Sequence, residues 1–239
     1  MRQAIVIIGG YNALWTSYLG MARHLEDISG LPAVGVPLGP WDWYELHRRE
    51  DTARMLAKVR DTIRWARRKL DADSFLLVGH SAGGLLGRLY LHREPVQGQT
   101  YAGADHVEML ITLGSPHCSD KGIRAGWHLA DKANHLVPGT PYADTVRYLA
   151  VIGRAVQAHP YGTSAQRRAF RSHQIFSPWH DEWGDGIIPV SGARLKGADT
   201  LVLDGITHSR KYGRDWYGAS RAIIRRWWPH DWSDGTDHD

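Results

Sequence analysis

The chain has one cysteine, Cys118, among 239 residues, which excludes an internal disulfide. It has no apolar run long enough to span a membrane, and no leader is expected, since Met1-Arg2-Gln3-Ala4 passes directly into the strand-like Ile5-Val6-Ile7-Ile8. These absences set the expectation of a cytoplasmic protein. Net charge is only +4, and much of the basic excess lies between Arg48 and Lys69, interleaved with Asp51 and Asp61 as on a solvated helix face. No nucleic-acid-binding motif accompanies that charge, so nucleic acid is not an expected partner, and at most a weak attraction to anionic lipid surfaces follows. The chain also lacks repeats, low-complexity blocks and a complete dinucleotide fingerprint.

What is present is enough apolar residue, 43%, to fill one substantial core, so residues 1–239 are expected to form a single domain. Short apolar runs alternate with helical patterns, which predicts an α/β fold: a mainly parallel sheet of about six strands with helices on both faces. The strands read as Ala4–Ile8, Ala33–Pro37, Phe75–Val78, Met109–Leu113, His173–Phe176 and Thr200–Leu203. Helices are expected over Ser17–Ile28, Glu50–Leu70, Ser81–His92, Thr140–Ala155 and Gly218–Trp228. In the second of these, Met55, Leu56, Val59, Ile63, Ala66 and Leu70 form one apolar stripe that must face the sheet. Residues 115–138 have weak periodicity and follow a strand, which suggests a lid or pocket wall, and 229–239 reads as a polar, frayed tail.

The most informative stretch is Phe75-Leu76-Leu77-Val78-Gly79-His80-Ser81-Ala82-Gly83-Gly84-Leu85-Leu86. An apolar strand runs through Gly-x-Ser-x-Gly into an apolar helix, the setting of a nucleophile elbow that lifts the Ser81 hydroxyl clear of the sheet. A serine hydroxyl is a weak nucleophile at neutral pH and needs a base with a carboxylate to orient it. Of the 14 histidines, His208 is the expected base, because in a sheet built around such an elbow the histidine follows the last strand, here Thr200–Leu203. His80, His117 and His180 come too early in the chain for that role and are candidates to line the pocket. The expected acid is Asp185, framed by Gly184 and Gly186 after a later strand, with Asp181 and Asp204 as alternatives. Two backbone donors must meet the developing oxyanion. They are assigned to the Ala82 amide, at the start of the helix, and to the Tyr11 amide in Gly9-Gly10-Tyr11-Asn12, where Gly10 lets the backbone approach the substrate.

These residues resemble the α/β-hydrolase superfamily and its lipase-like branch. The resemblance rests on Gly79-His80-Ser81-Ala82-Gly83-Gly84, Thr112-Leu113-Gly114-Ser115-Pro116-His117, Gly184-Asp185-Gly186-Ile187-Ile188-Pro189-Val190 and His208, and it spans nearly the whole chain. The chain is especially similar to small cyanobacterial and plant lipase-like hydrolases, which open with Gly-Gly-Tyr and carry Asp-Trp after the second strand, here Asp42-Trp43. The resemblance implies a minimal version of the fold without the first two antiparallel strands, and chemistry that needs no metal or other cofactor. A cation on His117, Cys118, Ser119 and Asp120 is disfavoured, since adjacent residues rarely converge on one ion.

Among 11 tryptophans, Trp15, Trp41, Trp43, Trp179 and Trp183 are expected in loops after strands, which suggests an aromatic-lined acyl pocket with Trp43 and Trp183 as walls. The expected function is therefore a serine carboxylester hydrolase acting on a small-molecule or lipid ester with an apolar acyl group. Acyl transfer, thioester cleavage and non-hydrolytic ligand binding on the same fold remain the alternatives.

Overall fold

The computed structural model describes residues 2–118, 128–177 and 180–229. The strands are β1 (Gln3–Ile8), β2 (Ala33–Gly35), β3 (Ser74–His80), β4 (Val107–Leu113), β5 (Arg147–Arg154), β6 (Val156–Gln157), β7 (Trp183–Gly184) and β8 (Asp199–Asp204). The α-helices are α1 (Leu19–Ser29), α2 (Pro40–Arg49), α3 (Ala53–Leu70), α4 (Ala82–Leu91), α5 (His128–Leu136), α6 (Ser164–Phe176) and α7 (Arg221–Arg225). Six strands form one sheet in the order β2-β1-β3-β4-β5-β8, parallel throughout, while β6 and β7 make a small antiparallel ribbon. This is the α/β architecture expected from the sequence.

The sheet is apolar on both faces, and each strand divides its side chains between two cores. From β1, Ala4, Val6 and Ile8 join Phe75 and Leu77 of β3 under the side formed by α2, α3, α4 and α5. Ile5 and Ile7 face the other way, with Leu76 and Val78, against α1 and α7. The α3 stripe lies as expected: Met55, Leu56, Val59, Ile63 and Ala66 are buried in the first core, and Leu70 packs at its margin. Each fully buried aliphatic side chain contributes on the order of 1.5–3 kcal/mol, so these interleaved rows hold the β1 and β3 ends in fixed register. Among the described residues no helix is long and apolar enough to cross a membrane.

Two expected elements exchange type. Residues 140–155 do not form a helix; Arg147–Arg154 is the interior strand β5, hydrogen-bonded between β4 and the edge strand β8. Tyr148 is buried, Leu149 partly so, and Ala150, Val151 and Ile152 are buried in succession, so the run shows no period-two alternation to distinguish it from a buried helix. Conversely, His173–Phe176 is not a strand but the last turn of α6. That helix starts at a capping box, in which Thr163 accepts from the Gln166 amide and the Gln166 side chain accepts from the Thr163 amide. It buries Ala169, His173 and Phe176 at helical spacing. The sequence reading also passed over α2, which begins with Pro40 at its first position and with the Asp42 carboxylate accepting the Gly39 amide at 2.9 Å.

The sheet order reverses between β1 and β3, and a crevice opens at the carboxyl ends of the strands on either side of such a point. The loops bearing Gly10, Tyr11 and Ser81 leave the sheet there. Of the expected lid or wall, 119–127 lies outside the described residues, as do Ser119 and Asp120 of the cation candidate and 230–239 of the tail. The described remainder includes α5, whose Leu129, Ala130 and Ala133 are buried in the first core.

Candidate active site

β3 delivers Ser81 into a strained turn at φ 54°, ψ −128°, a conformation uncommon for a residue with a side chain. The turn is held by the Ser81 amide donating to the Leu113 carbonyl at 2.9 Å. Close packing of strand against helix requires glycine on both sides: a Cβ on Gly79 would lie 2.5 Å from Gly84 Cα, and one on Gly83 would lie 2.8 Å from the Gly9 carbonyl oxygen. The Ser81 hydroxyl stands at the N-terminus of α4.

His208, on the loop after β8, brings Nε2 to 3.1 Å from Ser81 Oγ and Nδ1 to 2.8 Å from Asp185 Oδ2. A carboxylate only accepts, so Nδ1 carries the hydrogen and Nε2 is left to accept from the serine hydroxyl. Asp185 is almost fully buried, and every contact around it favours the ionised form. Its Oδ1 accepts from the Ile187 and Ile188 amides at 3.0 and 2.8 Å, and its Oδ2 accepts from the Tyr217 hydroxyl at 2.9 Å as well as from His208. Burial alone would raise the Asp185 carboxyl, but the neighbouring His208 and the Ile188 and Ile187 amides outweigh it and hold the group below its ordinary value. A second tie fixes the two loops, since the His208 amide donates to the Asp185 carbonyl at 2.8 Å.

The alternatives lie elsewhere. Asp204 is exposed and its carboxylate is taken by Arg154, with Arg154 Nη2 3.0 Å from Asp204 Oδ2. Asp181 is exposed. His117 is buried between Thr112 Oγ1, 3.1 Å from its Nε2, and the Arg88 guanidinium, 3.4 Å from its Nδ1. The His180 ring packs edge-on to Phe170. His80 is buried next to His208, with ring centroids 4.9 Å apart.

The site contains a residue the sequence reading missed. Tyr217 is fully buried; its hydroxyl accepts from the Gly153 amide at 2.8 Å and donates to Asp185. Burial, reinforced by Asp185, drives its hydroxyl well above the ordinary tyrosine value, so it stays a donor. The sequence held no motif for it: Tyr217 lies just before Gly218, where the expected helix begins.

Gly10 passes directly over the serine, where a Cβ would lie 2.8 Å from Ser81 Cβ. Its amide donates to the Tyr18 hydroxyl at 2.9 Å and is committed there. The next amide along the loop belongs to Tyr11. On the other side, the Ala82 amide opens α4, where first-turn amides have no intrahelical acceptor and the helix dipole favours negative charge.

The expected pocket walls separate. Trp183 is 45% exposed, but Trp43 is only 2% exposed, on α2 and in the core, where its ring meets Tyr11 edge-on at 5.5 Å. Trp43 therefore braces the Tyr11 loop and does not face solvent; α2 buries both Asp42 and Trp43. Tyr11, Leu14, Trp15, Trp41 and Tyr44 are the large exposed apolar residues of this rim, and Trp179 lies outside the described residues.

No family model matches the chain, and no curated protein matches it in sequence. Solved structures do resemble it. A lipase of Bacillus licheniformis, BlEst2 in its mature form, aligns with a TM-score of 0.63 at 17% identity over 87% of this chain and 85% of that one. The product of the Listeria innocua gene lin2722 aligns with a TM-score of 0.51 at 14% identity over 100% and 96% of the two chains. At such identities the likeness speaks to architecture alone: an α/β fold with a six-stranded parallel sheet and helices packed on it.

Proposed function

We propose that this protein is a serine carboxylester hydrolase of the α/β-hydrolase superfamily, in its lipase-like branch, acting on small-molecule or lipid esters with an apolar acyl group. The observation that carries the proposal is the unbroken relay from Ser81 Oγ through His208 to Asp185, at 3.1 and 2.8 Å, on a strained turn. In this reading Ser81 Oγ attacks the ester carbonyl as its proton passes to His208 Nε2, and Asp185 stabilises the imidazolium through Nδ1–H. The Tyr11 and Ala82 amides receive the developing oxyanion. His208 then gives the proton to the departing alkoxide, leaving an acyl group on Ser81. Water, deprotonated by His208, attacks that acyl-enzyme, and collapse of the second tetrahedral intermediate returns the free acid and the serine.

The exposed aromatics Tyr11, Trp15, Trp41 and Tyr44, with Trp183 exposed beside Asp185, support an apolar acyl group over a charged one. A panel of p-nitrophenyl esters tests the whole reading. Wild-type protein should hydrolyse butyrate and octanoate esters faster than acetate, and Ser81→Ala should lose the activity while keeping its melting temperature. Retention of more than a few per cent of wild-type turnover by Ser81→Ala would refute the mechanism.

A further inference from the structure

A second buried polar chain runs behind Ser81 and has no part in the relay. The Gly10 amide donates to the Tyr18 hydroxyl at 2.9 Å, Tyr18 lies 2.8 Å from His80 Nδ1, and His80 Nε2 lies 2.8 Å from the His208 carbonyl oxygen. Each proton in it can be assigned. A carbonyl carries no hydrogen, so His80 Nε2 is the donor to His208; in the neutral ring Nδ1 must then accept, which makes Tyr18 its donor and leaves a Tyr18 lone pair for Gly10. Desolvation and the adjacent His208 push His80 down to about 3, so the ring stays neutral and the pattern persists through the working range. Trp216 packs edge-on to both Tyr18 and His80, at 6.2 and 5.9 Å between ring centroids.

We propose that Tyr18 and His80 form a positioning bridge that locks the loop after β1, which carries the Tyr11 oxyanion donor, to the backbone of His208, so that the oxyanion site and the base keep one register about Ser81. The inference rests on the hydrolase reading above. The bridge joins loops from the second and sixth strands of the sheet across the nucleophile strand, and both loops must hold their places within fractions of an ångström during acyl transfer. Its two side chains touch no reacting atom; they act only through Gly10 and His208.

Positioning predicts a fall in kcat with little change in KM. Tyr18→Phe, which removes only the hydroxyl, should lower kcat roughly tenfold while KM stays within about twofold. His80→Gln, which can still offer an N–H toward the His208 carbonyl, should retain more kcat than His80→Leu. Tyr90→Phe provides the control, since it removes another buried tyrosine hydroxyl, 3.0 Å from His106 Nε2 and away from Ser81; it should lower the melting temperature and leave kcat unchanged. Nitrogen-15 spectra of the wild-type histidines, recorded without substrate, should show His80 as the neutral Nε2–H tautomer from pH 5 to 8. An Nδ1–H tautomer, or a Tyr18→Phe kcat within twofold of wild type, would overturn the bridge. Absence of wild-type ester turnover would overturn the hydrolase reading, leaving the tautomer to decide the bridge on its own.

Discussion

The two sides of Ser81 are built on opposite principles. On the Asp185 side the carboxylate is fully paired: it receives Ile187, Ile188, Tyr217 and His208, and exposure is 1% at Asp185 and 7% at His208. On the Tyr11 side the rim is apolar and open, with Leu14 54%, Trp41 62% and Tyr44 54% exposed. Residues 3–22, which supply β1 and Tyr11, Leu14 and Trp15 of this rim, contain no charged side chain. A buried network in low dielectric gains from complete pairing and loses heavily when one partner goes. An open apolar rim gains affinity from area and tolerates single losses. Substitutions on the two sides should therefore differ in the size and in the kind of their effects.

Asp185→Asn should have the largest effect of those compared here, roughly 10⁴-fold in kcat, because the amide no longer holds the imidazole in its Nδ1–H tautomer. Asp204→Asn should leave kcat near wild type, since that carboxylate faces Arg154 and solvent. Steady-state kinetics on a p-nitrophenyl ester separates the two, and a larger loss at Asp204 would move the acid. Tyr217→Phe should follow, with kcat down roughly tenfold, because it strips one donor from Asp185 and leaves the Gly153 amide without an acceptor. An unchanged kcat in that variant would show that three donors to Asp185 suffice.

The turn at Ser81 and the place of His208 beside it could be read from sequence because both are punctuated: glycine fixes one turn, and the last strand fixes the other. Asp185 was legible for the same reason. Tyr217, Tyr18 and the His80 bridge were not, because their roles arise from contacts across 32, 8 and 128 residues of sequence that carry no local signature. The exchange of β5 for a helix has a related cause. A strand buried on both faces is uniformly apolar, and only its neighbours β4 and β8 make it a strand. The misreading of α6 was avoidable: Thr163 followed by Gln166 is a helix start that the sequence displays. Trp43 was misplaced because proximity to a strand end does not say which way a side chain turns.

The buried histidines should also make the fold acid-sensitive. Burial lowers His80 from an ordinary 6.5 to about 3 and His106 to about 4, and it puts His117 well below 6.5. These rings are neutral in the folded chain and take up protons on unfolding, so their contribution is complete above about pH 6.5 and is lost as pH falls toward 3. The melting temperature should therefore drop steadily from pH 7 to pH 4, and His106→Gln should flatten the drop. A melting temperature independent of pH in that window would contradict the neutral assignments. At the exposed Trp183, beside Asp185, the effects should be smallest: Trp183→Ala should cut octanoate turnover by a few-fold, leave acetate turnover unchanged, and so flatten the chain-length profile. Equal losses on both esters would place Trp183 outside the acyl path.

The central claim is that Ser81 is an activated nucleophile, and a fluorophosphonate probe followed by peptide mass spectrometry tests it most directly. The account predicts one label per chain, on the peptide containing Ser81, lost in Ser81→Ala and strongly slowed in His208→Ala. A folded wild-type protein that remains unlabelled, or one labelled at a different serine, would contradict it.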